Sequence, residues 1–288
     1  MHRSPPAESS AAESPLDVEY LRSWALPDDG DGDKRRRGTV LVVGGSEQTA
    51  GGALLAGRAA LRVGAGRLQL ATDRSVRSAL AVTVPEARVL AYDDRDALAA
   101  LVRVADAVVM GPGLLDRSLV AELLALVVDQ ATGPVVVDAA ALGAVASVSA
   151  DRPGGRSFPV VLTPNREELQ ELLAGEAPAR PESAAASRFG ATVASFGRVA
   201  APDGRVWCAS FPVRGLGTSG SGDVLAGAVG GLAARTGEGV QSACWATALH
   251  RMAGARLAAR IAPLGYLASE LADELAPTLA AVEAGRPD

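Results

Sequence analysis

The residues with the clearest chemical potential are Gly215-Leu216-Gly217-Thr218-Ser219-Gly220-Ser221-Gly222-Asp223, followed at once by the helix-forming run Val224–Ala234. Glycines at this density let the backbone turn its N–H groups inward and approach a ligand closely. A helix that opens directly after the turn adds the positive end of its dipole, and the two together make a hole for an anion such as a phosphoryl group. A carboxylate at the lip of that hole would be repelled by phosphate unless it takes the proton from an attacking hydroxyl. Asp223 therefore reads as a general base. The competing reading is a helix N-cap with no chemistry of its own.

Further candidates follow short apolar runs. Thr163-Pro164-Asn165 comes directly after Val160–Leu162, and the carboxyl end of a parallel strand is where open α/β sheets place ligands. Asn165 is the only asparagine in the chain. It can hydrogen-bond a substrate amide, it can cap the helix that follows, and the two roles can coexist. Asp138 follows Val135–Val137 and is placed to point into the same cleft. Gly44-Gly45-Ser46 through Gly51-Gly52, and Gly111-Pro112-Gly113, are glycine-rich turns that either line a ligand or merely turn the chain. His250 sits mid-helix in an apolar stretch and reads as a satisfied, partly buried histidine. Arg35-Arg36-Arg37 reads as a solvated charge run.

Absences narrow the chemistry. Lys34 is the only lysine, so the chain has no Gly-Lys-[Ser/Thr] phosphate loop and no Schiff-base lysine inside the domain. Two cysteines, Cys208 and Cys244, make no disulfide framework, and two histidines make a His/Cys zinc site untenable. A net charge of −5 with only 3% aromatic residues argues against a broad nucleic-acid surface. No apolar run is long enough for a membrane span, and the first residues lack the apolar middle of a signal peptide, so a cytoplasmic enzyme is expected.

The elements that must position these residues alternate. Thr39–Val43, Leu68–Ala71, Ala107–Met110, Val135–Val137 and Val160–Leu162 read as buried strands, apolar on both faces. Between them lie helical segments such as Gly52–Val63, Arg117–Asp129 and Arg166–Leu173. That alternation predicts an α/β fold with a mostly parallel sheet and helices on both faces. Ala191–Ala194, Arg198–Ala201 and Val206–Phe211 read as short strands, with Pro202-Asp203-Gly204 as a hairpin turn. The helices Asp223–Ala234, Val240–Ile261 and Leu267–Ala284 close the chain, and Gly175–Ser187 reads as an exposed loop or weak helix. Residues 1–36, rich in Pro, Ser, Ala, Asp and Arg, are expected to be mostly a mobile tail with a short helix around Val18–Trp24. Residues 37–288 are expected to form a single domain.

The Gly-x-Gly-Asp turn at the head of a late helix resembles the anion-hole motif of the ribokinase-like superfamily. Thr218–Leu225 with Ala226-Gly227 is most similar to its NAD(P)H-hydrate dehydratase branch. Val40–Ser46, Ala59–Gly66, Pro85-Glu86, Gly111–Leu114 and Leu249-His250 with Ala253-Gly254 resemble further motifs of that branch, in the same order. The resemblance implies a ribokinase-like three-layer fold and an enzyme that repairs hydrated NADH or NADPH. A nucleotide, ADP or ATP, phosphorylates the ring hydroxyl with Mg²⁺, and loss of phosphate restores the dihydropyridine. By the same resemblance, Asp223 deprotonates the hydroxyl, and the N–H groups of Gly220, Ser221 and Gly222 hold the phosphoryl oxygens. Gly197 and Arg198 lie against the nucleotide phosphates, while Gly52, Gly113, Asn165 and Asp138 line the substrate. Some relatives are homo-tetramers, and some carry an epimerase domain that the residues ahead of the first strand here cannot hold, which would make any epimerase a separate chain.

Three positions depart from the pattern. Asn165 stands where the family usually has histidine, Ala140 where it has a second aspartate, and Phe196 in the place of a lysine before Gly197. Asn165 keeps open a ribokinase-like carbohydrate or alcohol kinase, and the three departures together keep open a nucleotide-binding relative without turnover.

Overall fold

The five strands read from the sequence form the middle of one ten-stranded sheet. A computed structural model describes residues 13–28, 33–146, 158–209 and 213–285. Its strands are β1 (Ser14–Pro15), β2 (Thr39–Val43), β3 (Arg67–Thr72), β4 (Ala87–Ala91), β5 (Ala107–Met110), β6 (Val135–Val137), β7 (Val160–Leu162), β8 (Thr192–Ser195), β9 (Arg198–Ala200) and β10 (Val206–Cys208). They lie in the order β1-β10-β9-β8-β7-β6-β5-β2-β3-β4, parallel throughout except where β9 pairs with β8 and β10.

Side-chain alternation divides the core into two layers. Val40, Val42, Val109, Val136 and Val161 face one side; Leu41, Val43, Val108, Met110, Val135, Val137 and Leu162 face the other. The first face is covered by α2 (Ala50–Arg62), α8 (Ser221–Thr236), α9 (Gly239–Arg260) and α10 (Ala268–Glu283). The second is covered by α4 (Arg95–Val104), α5 (Arg117–Gln130), α6 (Arg166–Leu172) and α7 (Pro181–Phe189). The short α1 (Val18–Ser23) and α3 (Arg77–Thr83) sit at the periphery. This is the three-layer α/β arrangement that the alternating pattern implied.

One expectation needs revision, and two others are met in the part the structure describes. Residues 13–28 do not behave as a tail: β1 adds a parallel edge strand to β10, and Leu16, Leu21 and Trp24 are buried in the first core. The anchor is aromatic. Trp24 packs on Trp207 with ring centroids 6.0 Å apart, and the indole of Trp245 and the amide of Gln241 donate to its carbonyl. The Gly175–Ser187 segment contains most of α7, which starts with Pro181 in its first turn and buries Ala185, Ala186 and Phe189. The strand expected over Val206–Phe211 is described as far as Cys208, and its last two residues lie outside the described residues.

Candidate active site

The chain leaves the sheet centre in opposite directions on the two sides of β2. From β2 it winds outward through β3 and β4; from β5 it winds the other way through β6, β7 and β8. The carboxyl ends of β2 and β5 therefore flank the topological switch point, where an open α/β sheet leaves a crevice. The turn after β2 and the turn after β5 interlock there: the Gly45 amide donates to the Pro112 carbonyl at 2.8 Å, and the Thr49 hydroxyl to the Gly113 carbonyl at 2.8 Å. Gly52 opens α2 so close to this turn that a Cβ would lie 2.7 Å from the Gly113 amide nitrogen. A cavity of about 270 Å³ adjoins these turns, lined by Ser46, Glu47, Asp73, Tyr92, Leu114 and Asp116 among others.

The glycine-rich turn enters the crevice from the first helical layer. Gly220, at φ +88, is the N-cap of α8, a conformation a side chain would strain. The Ser221 hydroxyl donates to the Leu216 carbonyl at 2.5 Å, and His250 Nε2 lies 2.9 Å from the Ser221 carbonyl. Burial pushes the His250 imidazole down to about 4, so near neutrality it is uncharged and donates from Nε2 to that carbonyl. The turn is thus tied down from inside by a buried histidine. The Ser221 amide is spent on the Thr218 carbonyl at 3.2 Å, whereas the amides of Gly220 and Gly222 donate to no backbone group among the described residues.

Asp223 lies in the first turn of α8 and does not cap it, because Gly220 holds that position and no amide donates to the Asp223 carboxylate among the described residues. Burial, and secondarily the charge of Glu168, pushes its carboxyl up to about 6. A carboxyl so tuned is ionised near neutral pH yet takes a proton more readily than an exposed aspartate. Asp138, 4% exposed at the end of β6, accepts a 2.8 Å hydrogen bond from the Thr163 hydroxyl. Burial raises it to about 7, with the charges of Asp223 and Glu168 adding to the shift. The two aspartates singled out in the sequence are therefore within electrostatic reach of one another.

Asn165 caps α6. Its side-chain oxygen accepts from the amides of Glu167 and Glu168, and the Glu168 carboxylate accepts from the Asn165 amide in return. Its side-chain nitrogen makes no hydrogen bond among the described residues. Ser195 joins this region to the β8–β9 turn by donating to the Pro164 carbonyl at 2.7 Å. Gly197 lies in that turn, but the Arg198 guanidinium points to Glu13, with which it forms an ion pair. Contact between Arg198 and a phosphate would first require breaking that pair. Arg166, which the sequence reading passed over, lies with its guanidinium carbon 4.8 Å from the centroid of the Phe196 ring.

The described residues thus gather Asp223, the Gly220–Gly222 amides, Asp138 and Asn165 at one end of the sheet, with Gly52 and Gly113 interlocked at the switch point. They contain no group of three His, Cys, Asp or Glu side chains able to hold a metal ion, and no helix long and apolar enough to cross a membrane.

Comparison with known proteins points the same way. The family model described as NAD(P)H-hydrate dehydratase matches residues 40–277. The chain is 42% identical to the ADP-dependent (S)-NAD(P)H-hydrate dehydratase of Xanthomonas campestris over 273 residues, which cover 88% of this chain and 92% of the relative. It is 34% identical to a bifunctional NAD(P)H-hydrate repair enzyme of Salinibacter ruber over 92% of its own length, but spans only 52% of that relative. Among solved structures, the ADP/ATP-dependent NAD(P)H-hydrate dehydratase of Bacillus subtilis co-crystallised with ATP/Mg²⁺ matches with a TM-score of 0.80 at 27% identity, covering 95% of this chain and 100% of that one.

Proposed function

We infer that this chain, which belongs to the NAD(P)H-hydrate dehydratase family, removes water from hydrated NADH and NADPH at the expense of a nucleotide, ADP or ATP. The observation that carries the reading is Asp223: a carboxyl raised to about 6, uncommitted to capping, at the mouth of a glycine turn that opens a long helix.

Hydroxide is a poor leaving group, and phosphorylation makes it a good one. The Asp223 carboxylate takes the proton of the ring hydroxyl as its oxygen attacks the terminal phosphorus of the nucleotide, whose bridging oxygen departs with the bonding electrons. The Gly220 and Gly222 amides and the dipole of α8 stabilise charge on the equatorial oxygens. The ring nitrogen's lone pair then expels phosphate by C–O cleavage. Loss of a proton from the neighbouring ring carbon restores the dihydropyridine. Gly52 and Gly113 line the floor beneath the ring, and the free Asn165 amide nitrogen offers a donor to the substrate carboxamide. Mg²⁺ would travel with the nucleotide phosphates, a mode that needs only one or two carboxylates from the protein and suits described residues that include no three-ligand cage. When bound, it supplies charge neutralisation. Residues 37–288 act as one catalytic domain braced by β1 and α1, in the cytoplasm where reduced nicotinamide nucleotides turn over.

The test is the near-ultraviolet absorbance of the dihydronicotinamide, which the hydrate lacks. Purified protein with Mg²⁺, hydrated NADH and ADP or ATP should restore it, and Asp223→Asn should be slower by about a hundredfold or more. A flat trace from folded wild-type protein that binds nucleotide would sink the dehydratase reading and leave a kinase with another substrate.

A further inference from the structure

Arg166 and Phe196 form a pair that neither helix capping nor core packing explains. Phe196 has φ +50, a left-handed conformation that strains a side-chain-bearing residue. Its ring is not repaid by burial, being 51% exposed. The guanidinium of Arg166 above it returns little, because a cation–π contact at an exposed site is weak. The turn therefore keeps a strained aromatic whose clearest effect is to seat a cation. Among the described residues that cation makes no ion pair and no hydrogen bond, so its planar fork of donors is unspent.

The pair and the anion hole share a support in α9. Successive residues of α9 touch both places: His250 bonds the Ser221 carbonyl, and Arg251 lies under the turn, where a Cβ on Gly197 would meet its side chain at 2.8 Å. On the other flank, the Ser195–Pro164 bond holds the Phe196 turn against the Thr163–Asn165 segment that starts α6. Three carboxylates, Asp138, Asp223 and Glu168, share this end of the sheet, and the charge of Glu168 raises the proton affinity of both aspartates. A polyphosphate entering such a place needs a cation that is not already committed. Arg198 is committed to Glu13, and Arg251 is half-buried. Arg166 is exposed and uncommitted.

We propose that Arg166, seated on Phe196, clamps the phosphate of the nucleotide donor that is not transferred. A guanidinium suits this task because its fork can hold two oxygens at once. The clamp would leave the Gly220–Gly222 amides to the phosphoryl group in transit. The proposal rests on the nucleotide-dependent reading above, so its test separates binding from turnover.

Calorimetric titration of the full chain with ADP and, separately, with adenosine reads the phosphate contact directly. Arg166→Ala should weaken ADP binding by about 10- to 100-fold and leave adenosine unchanged. Arg166→Lys, which keeps the charge but loses the fork, should fall between. Phe196→Leu should also fall between, because the guanidinium loses its seat. In the turnover assay the KM for ADP should rise while the KM for the hydrate stays put. ADP affinity of Arg166→Ala within about twofold of wild type, or an equal loss for adenosine, would overturn the proposal. Wild-type protein that binds ADP but never converts the hydrate would sink the dehydratase reading, and the ADP comparison would still decide the role of Arg166.

Discussion

The contact between α2 and α8 fixes where Asp223 stands, and a single methyl group tests it. A Cβ on Gly227 would lie 2.1 Å from the Ala56 carbonyl oxygen and 2.5 Å from its Cα; one on Gly231, a turn later, would lie 2.5 Å from the Ala60 carbonyl oxygen. Each neighbour is helix backbone, which cannot rotate aside, so Gly227→Ala must drive the helices apart by about 1 Å. Replacing a mid-helix glycine by alanine gains about 1 kcal/mol in propensity, while overpacking of this kind costs about 1–3 kcal/mol. Because the clash is with backbone, the upper part of that range applies, and a net loss of about 1–2 kcal/mol is expected. For a chain of this length that lowers Tm by about 2–8 °C. Gly222→Ala is the control. Nothing lies within 4 Å of its Cβ, so stability should hold or rise, yet the methyl stands in the anion hole and turnover should fall. Thermal melts of both variants beside the hydrate assay would read the contrast. A Tm for Gly227→Ala equal to or above wild type would refute the claim that close backbone contact sets the position of α8.

Other perturbations reach the same site. Asp138 keeps its proton up to about 7 in the folded chain but releases it near 3.8 when unfolded, so the group costs stability increasingly as pH rises through that window and by a constant amount above it. Asp138→Asn retains an acceptor for Thr163, and its stability relative to wild type should grow across that window in a series of melts; a pH-independent difference would contradict this. Asn165→Ala should cost about 1 kcal/mol in unfolding experiments by uncapping α6, and Asn165→Ser should restore most of it. If Asn165→Ser nevertheless raises the KM for the hydrate, the lost amide served the substrate; an unchanged KM would reduce Asn165 to a cap. Trp24→Ala should destabilise by about 3–5 kcal/mol in denaturant titrations, a loss that a mobile tail could not produce.

Legibility followed locality. Val135–Val137 and Val160–Leu162 were readable as strands because burial on both faces leaves no polar residue to confuse the pattern. The half-exposed Ala87–Ala91, with Arg88 at its second position, carries no such signature and is a strand by virtue of β3 beside it. Residues 13–28 misled because their Pro, Ser and Asp content hides three apolar anchors whose partners lie far along the chain. The site divides in the same way. The glycine turn and Asp223 are adjacent in sequence, so their relation could be read directly. Glu13 lies 185 residues from Arg198, and no local pattern could show that it occupies that guanidinium. Arg166 left one signal, its place next to Asn165, but its seat on Phe196 depends on the Ser195–Pro164 bond between two separate strand ends.

The edge formed by β1 has a consequence for the order of assembly. The Leu16 amide bonds the Cys208 carbonyl, and Trp24 needs Trp207 and Trp245 around it. During synthesis this segment therefore leaves the ribosome long before the surfaces that will cover it. Its tryptophan and two leucines must stay in water, or in the grip of a chaperone, while the central parallel strands are made. Seating this segment is then among the last acts of folding, and it closes an edge strand that would otherwise be open to pairing with another chain. A segment made before the sheet it joins is, on this account, the latch that finishes the protein.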